Sequence, residues 1–93
     1  MKKQPNAHLK ALDLAHEVTT NYSRDDLCRD LSCKVESVAD AFQFEADHAE
    51  LEDDHDAWDE LCVLATNLAG ACRSGSPCDR LDAAHELIEA LEI

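Results

Sequence analysis

Apolar residues recur every three or four positions along most of the chain, which is the spacing of one face of an α-helix. The most regular series consists of Cys28, Leu31, Val35, Val38 and Phe42. It stops after Phe42, because the next two positions in phase are Glu45 and Ala49. We therefore predict an amphipathic helix over about residues 24–46.

A second apolar series follows and is out of phase with the first. It consists of Leu51, Trp58, Leu61, Ala65, Leu68 and Cys72. On one continuous helix, the nine-residue step from Phe42 to Leu51 would turn the apolar face by about 200°. A straight helix cannot bury both series, so we predict a break between about Glu45 and Asp54. Asp53 or Asp54 would then be the N-cap of the next helix.

The third helix is expected over about 53–71, with Gly70 at its end. Cys62, Leu64 and Ala69 lie beside its apolar series. So wide an apolar face predicts that this helix is the most buried of the bundle.

Helix start signals indicate the remaining boundaries. Pro5 and Asn6 begin a first helix over about 6–20. The run from Ser23 to Asp26 resembles a capping box for the second helix, and Ser76-Pro77-Cys78-Asp79 predicts a last helix over about 77–92. With two Gly and two Pro in 93 residues, an all-α fold is expected. We predict a compact antiparallel bundle of three to four helices, forming a single helical domain over residues 1–93.

The chain carries a net charge of −13. Such a charge argues against direct binding to nucleic acid and against anionic membranes, and it favours basic proteins as partners. The start MKKQPNAHLK has no apolar run behind its lysines, so neither a signal peptide nor a membrane span is predicted, and a cytoplasmic location is expected. The five cysteines include no C-x-x-C, which favours reduced thiols over a disulfide such as Cys72–Cys78.

The negative charge is concentrated in the segment EADHAELEDDHDAWDE, residues 45–60, which holds nine carboxylates and no Lys or Arg. Like charges one helical turn apart, such as Glu52 and Asp56, cost about 0.2–0.5 kcal/mol per pair. This repeated cost indicates a role beyond solubility. If helical throughout, the segment would carry about one charge per 2.7 Å, a spacing between those of duplex and single-stranded DNA.

We therefore predict a binding face for Lys and Arg side chains of a basic protein or nucleoprotein complex. Its carboxylates are Asp47, Glu50, Glu52, Asp53, Asp54, Asp56, Asp59 and Glu60. One face of the third helix, opposite Leu51, Trp58 and Leu61, is expected to carry five of them: Glu52, Asp53, Asp56, Asp59 and Glu60. The alternative interpretation is the solvated face of an acidic protein.

The chain from Val35 to Cys72 contains eleven Asp or Glu residues and no Lys or Arg. In a chain this short, that character resembles the small acidic inhibitors made by phages and mobile elements, such as anti-CRISPR and anti-restriction proteins that imitate DNA. The resemblance implies a stoichiometric binder, which would act in the host cytosol if the chain is encoded by a phage. No cofactor is predicted. Such a binder would block a nucleic-acid channel or a subunit contact in a host defence complex.

A metal-binding bundle is an alternative, because Glu45–His48 and Glu52–His55 are two E-x-x-H motifs one heptad apart. Di-iron carboxylate bundles take one such motif from each of two helices. Here both lie in one stretch, so further ligands would have to come from facing helices. Candidates are Asp13, His16, Glu17, His85 and Glu86. We predict no specific metal site.

Self-association is a third possibility, as either a monomer or a homodimer is compatible with the sequence. Phe42 and Phe44 are two residues apart, so they cannot both face one core and one of them is expected to be exposed. Trp58 is predicted in the core, and His16 is predicted as a packed or boundary residue. The chain has no glycine-rich phosphate loop and no nucleophile elbow, and we predict a protein that is not an enzyme.

Overall fold

The computed structural model describes residues 6–50 and 52–92, which form four helices and no strand. The helices are α1 (Asn6–Asn21), α2 (Asp25–Asp47), α3 (Glu52–Ser74) and α4 (Pro77–Glu92). Short connections make consecutive helices antiparallel neighbours. Each helix packs on the next one in the chain, and α4 packs on α1 to close the ring. The predicted helical bundle is confirmed, with four helices.

The core is centred on α2. All five residues of its apolar series are buried, together with Ser32, Ala39 and Ala46. α3 contributes Ala65, Leu68, Ala69 and Cys72. The prediction that the third helix is the most buried is therefore wrong. The additional apolar residues Cys62 and Leu64 are only half-buried, because they lie at the edges of the apolar series rather than on its centre.

The start of α4 confirms its predicted capping box. The backbone N–H of Asp79 donates to Ser76 Oγ and that of Ser76 donates to Asp79 Oδ2, both at 3.3 Å. The capping box predicted for α2 is wrong, because the N-cap is Arg24 and no side chain caps that helix. The Arg24 backbone N–H donates instead to the Asn21 carbonyl at 2.9 Å.

Both predicted ends of the third helix also need correction. α3 begins at Glu52, so Asp53 and Asp54 lie inside its first turn and are not its N-cap. The helix continues through Gly70 to Ser74. A glycine inside a helix costs about 1 kcal/mol relative to alanine, and the burial of Cys72 in the following turn offsets that cost.

One end of the bundle is joined by the side chain of Arg80, which is only 5% exposed. Its Nη1 donates to the Tyr22 carbonyl at 3.1 Å and to Asp25 Oδ1 at 2.8 Å, and its Nε donates to the Ala71 carbonyl at 3.2 Å. These contacts link α4 to α2, to α3 and to the residue that follows α1. The hydrogen bond that Arg80 donates to Asp25 raises the pKa of the Arg80 guanidinium, while burial opposes that rise.

The opposite end carries most of the acidic segment. α2 and α3 each have 23 residues, against 16 in α1 and α4. Because all four helices begin or end near Arg80, this additional length of about 10 Å lies at the far end. At this end α2 ends and α3 begins. The other two helices are joined here by His8 of α1, whose Nε2 donates to the Leu91 carbonyl of α4 at 3.0 Å. Within residues 6–50 and 52–92, no helix is both long enough and apolar enough to cross a membrane.

Candidate partner-binding surface

The acidic residues lie on a helical hairpin rather than on one helix. α2 ends at Asp47 and α3 begins at Glu52, which confirms the predicted break. We call residues 40–50 and 52–63 the acidic hairpin. Its charges are divided between two antiparallel helices and their connection, so the single helical row of charges that the comparison with DNA requires does not form. The charge spacing predicted for a continuous helix is therefore wrong.

The predicted carboxylates lie on the surface. Seven of the eight have described side chains, and all seven are exposed: Asp47, Glu50, Asp53, Asp54, Asp56, Asp59 and Glu60. The side chain of Glu52 lies outside the described residues. Among the described residues, none of these seven carboxylates forms an ion pair with a Lys or Arg. The described arginine ion pairs join Arg73 to Glu36 at 2.6 Å and Arg80 to Asp25 at 2.8 Å. This part of the surface is therefore not neutralised by the described Lys and Arg residues.

The charges of α3 point in two directions. Asp53, Asp56 and Glu60 are spaced by three and four residues, so they share one outer face of the helix. Asp54 is about 100° further round, on the same side as Trp58. It is exposed, but it does not belong to the face formed by the other three.

A second group of acids converges where α2 meets α3. Gln43 Nε2 donates to Asp47 Oδ1 at 3.0 Å, and the Cys62 thiol donates to Gln43 Oε1 at 3.6 Å. Partial burial raises the pKa of the Cys62 thiol, and the negative charges of Asp59, Asp40 and Asp47 raise it further. Carboxylates from both helices therefore lie close enough to one thiol to raise its pKa, although a hydrogen bond with its neighbour Thr66 opposes part of the rise.

Asp40 belongs to this group and is absent from the residues predicted from the sequence. It precedes Asp47 by one heptad, so both lie on the same side of α2. The sequence therefore predicts that Asp40 and Asp47 share one side of α2. It does not show that this side faces α3, which the Gln43–Cys62 contact establishes.

Two large apolar side chains are exposed on the acidic hairpin. Phe44 is 59% exposed and Val63 is 51% exposed. The Phe44 ring stacks on His48 with ring centroids 4.1 Å apart, and His48 Nδ1 donates to the Phe44 carbonyl at 2.8 Å. Phe42 is buried against Trp58, at a centroid distance of 5.8 Å. The prediction that one of the two phenylalanines is exposed is confirmed. Trp58 packs against the core, as predicted, but it is only half-buried.

Within the part of the chain that the structure describes, no group of three or more His, Cys, Asp or Glu residues is placed to hold a metal ion. His16 is exposed, so its predicted packed or boundary position is wrong. The core side of α1 is formed instead by Ala11, Ala15 and Val18.

All five cysteines are free, as the cysteine pattern predicts. Cys28 and Cys72 are buried, whereas Cys33 and Cys78 are exposed. Burial, reinforced by the neighbouring Cys28, raises the pKa of the Cys72 thiol to about 11. At pH 8, only about one such thiol in a thousand is the reactive thiolate.

We therefore expect alkylation to distinguish the cysteines. Iodoacetamide at pH 8 should modify Cys33 and Cys78 first, Cys62 more slowly, and Cys28 and Cys72 only after unfolding. Mass spectrometry of proteolytic fragments at increasing times measures this order. Equal rates at Cys72 and Cys78 in the folded protein would contradict the described packing.

Comparison with known proteins yields no match: no family model fits the sequence, and no curated protein or solved structure is similar to it. The fold and the surface define a four-helix bundle with an acidic hairpin at one end.

Proposed function

We propose that this chain is a non-enzymatic binding protein that inhibits a basic, nucleic-acid-handling protein complex in the cytosol of a host cell. The observation that carries the proposal is the set of exposed hairpin carboxylates, none of which pairs with a described Lys or Arg. Lys and Arg side chains of a partner would form ion pairs with these carboxylates. Such complementarity speeds encounter and selects the partner more than it adds affinity.

The proposed mechanism is occupation of a cationic surface that otherwise binds nucleic acid. Because the acids lie on two helices, the proposal needs a groove or surface wide enough for the hairpin, and it does not need a DNA-like row of charges. Direct binding of nucleic acid is no part of the mechanism, because the net charge of −13 repels phosphates. The anti-CRISPR and anti-restriction inhibitors act on complexes of this kind.

The test reverses charge on the outer face of α3. The variant Asp53→Lys, Asp56→Lys, Glu60→Lys is expected to lower affinity for the partner by about a hundredfold or more, since each lost charge pair is replaced by repulsion. The partner is first isolated from host extract with the wild-type protein at low salt and identified. Affinity of the purified partner is then measured by calorimetry, and its release of bound DNA or RNA is measured by competition.

The matched control changes net charge equally at another place. Asp82, Glu86 and Glu89 are exposed on α4 and follow a helical spacing of four and three residues. Their replacement by lysine should leave the affinity within about threefold of wild type, because these residues lie on α4 and outside the acidic hairpin that is proposed to contact the partner. Equal losses in both variants would mean that net charge alone drives binding. If the α3 variant binds the partner as tightly as wild type does, the hairpin is only a solvated surface and not the binding site.

A further inference from the structure

A groove with a volume of about 510 Å³ lies between α1 and α2. Its apolar part is formed by Leu14 of α1 and by Val38 and Ala41 of α2. Val38 is buried, whereas Leu14 and Ala41 are half-buried. The volume falls within the range of about 300–1,000 Å³ that is usual for small-molecule sites. None of the carboxylates predicted to bind a basic partner lines this groove.

The polar rim of the groove carries two cations. Lys10 of α1 and Lys34 of α2 line it, together with Asp13 and Ser37. Both lysines are exposed, and neither forms an ion pair among the described residues. They lack such a pair in a chain that has 21 Asp and Glu residues against eight Lys and Arg. Two unpaired cations on facing helices, beside an apolar floor, favour a ligand with an anionic group on an apolar body.

The size and charge of the groove narrow the class of ligand. Seven residues line it, whereas a stable protein interface takes about 20–30 residues from each side. A small molecule therefore fits better than a protein. Asp13 on the rim and the net charge of −13 repel anions, so a single negative charge is favoured over the two charges of a phosphate ester. A carboxylate carries one charge and accepts hydrogen bonds from lysine.

We infer that the groove between α1 and α2 binds the anion of a medium-chain fatty acid. The carboxylate lies between Lys10 and Lys34, and the hydrocarbon chain lies on Leu14, Val38 and Ala41. Each methylene group that the groove takes out of water contributes about 0.8 kcal/mol in the limit of full burial. This site is separate from the proposed contact with a basic partner and does not depend on it.

The test is a calorimetric titration of the full chain with sodium octanoate, below the concentration at which it forms micelles. Octanol has the same chain length without the charge, and it is expected to bind at least about fivefold more weakly. Lys10→Gln combined with Lys34→Gln should weaken octanoate by a similar factor and leave octanol unchanged. Arg24→Gln combined with Arg29→Gln removes the same charge from exposed residues outside the groove, and it should change neither affinity.

Two further variants change the floor and the rim separately. Ala41→Leu fills part of the floor and should weaken octanoate and octanol alike. Asp13→Asn removes a repulsive charge and should tighten octanoate by about twofold or more while leaving octanol unchanged. Circular dichroism first establishes that each variant is folded. If Ala41→Leu is unfolded, the lysine and Asp13 variants decide the test.

Three outcomes would overturn the inference. One is equal affinity for octanoate and octanol, or an octanoate affinity that the double lysine variant leaves unchanged. Another is a dimer in solution that Ala41→Leu converts to monomer, because it assigns the groove to a second copy. The third comes from nuclear magnetic resonance, where octanoate should shift the backbone amide signals of residues 10–14 and 34–41 most. Shifts spread over all four helices would mean detergent-like binding without a site.

Discussion

Replacing Phe42 with alanine is expected to lower the free energy of unfolding by about 3–5 kcal/mol. The side chain is 0% exposed, and it packs on Trp58 across α2 and α3. Truncation removes its transfer free energy and leaves a cavity that the surrounding helices fill only in part. Few single substitutions in a chain of 93 residues should cost more.

Phe44→Ala is the matched control, since it makes the same chemical change two residues along the same helix on a side chain 59% exposed. Thermal unfolding followed by circular dichroism measures both variants. The melting temperature of Phe42→Ala should fall by more than about 12 °C, while that of Phe44→Ala should stay close to wild type. Equal falls in melting temperature in the two variants would contradict the orientation of α2, in which Phe42 faces the core and Phe44 faces solvent.

Replacing Arg80 with alanine is expected to cost about 2–3 kcal/mol of stability. The carbonyls of Tyr22 and Ala71 each lose a charged donor, and Asp25 loses its ion-pair partner. Because the contacts of Arg80 join α4 to the ends of the other helices, the loss should loosen that end of the bundle. Arg80→Lys should recover only part of the stability, since an ammonium group cannot make the same three contacts as a guanidinium.

Arg73→Ala is the control for Arg80→Ala. Arg73 also forms an ion pair, with Glu36 at 2.6 Å, but both side chains are about half-exposed. Such surface pairs contribute little to stability. Urea unfolding should therefore separate the Arg80→Ala variant from wild type and leave Arg73→Ala indistinguishable from it. If both variants unfold at the same urea concentration, Arg80 does not hold the four helices together.

Much of the fold follows from periodicity. Every member of the series from Cys28 to Phe42 is buried, and the phase change between Phe42 and Leu51 predicts the break that separates α2 from α3. Helix ends were less predictable, because tertiary contacts compete with local capping. Asp25, in the first turn of α2, bonds to Arg80 of α4, a contact between residues far apart in the sequence.

The candidate surface was predictable in part. Exposure of the acids follows from their spacing against the apolar series. The way in which the acids of the two helices come together does not, because the contact of Gln43 with Cys62 depends on how α2 and α3 are aligned. The same alignment brings Asp40 into the surface.

The central claim is that the acidic hairpin binds the cations of a partner. Its most direct test is the affinity of the isolated partner as salt concentration rises, measured for wild type, for the α3 charge-reversal variant and for the α4 control variant. Wild type and the α4 control should weaken steeply and in parallel, because salt screens the charge pairs. The α3 variant should bind weakly at every concentration, with little salt dependence. Affinities independent of salt, or the same slope in all three proteins, would contradict the claim.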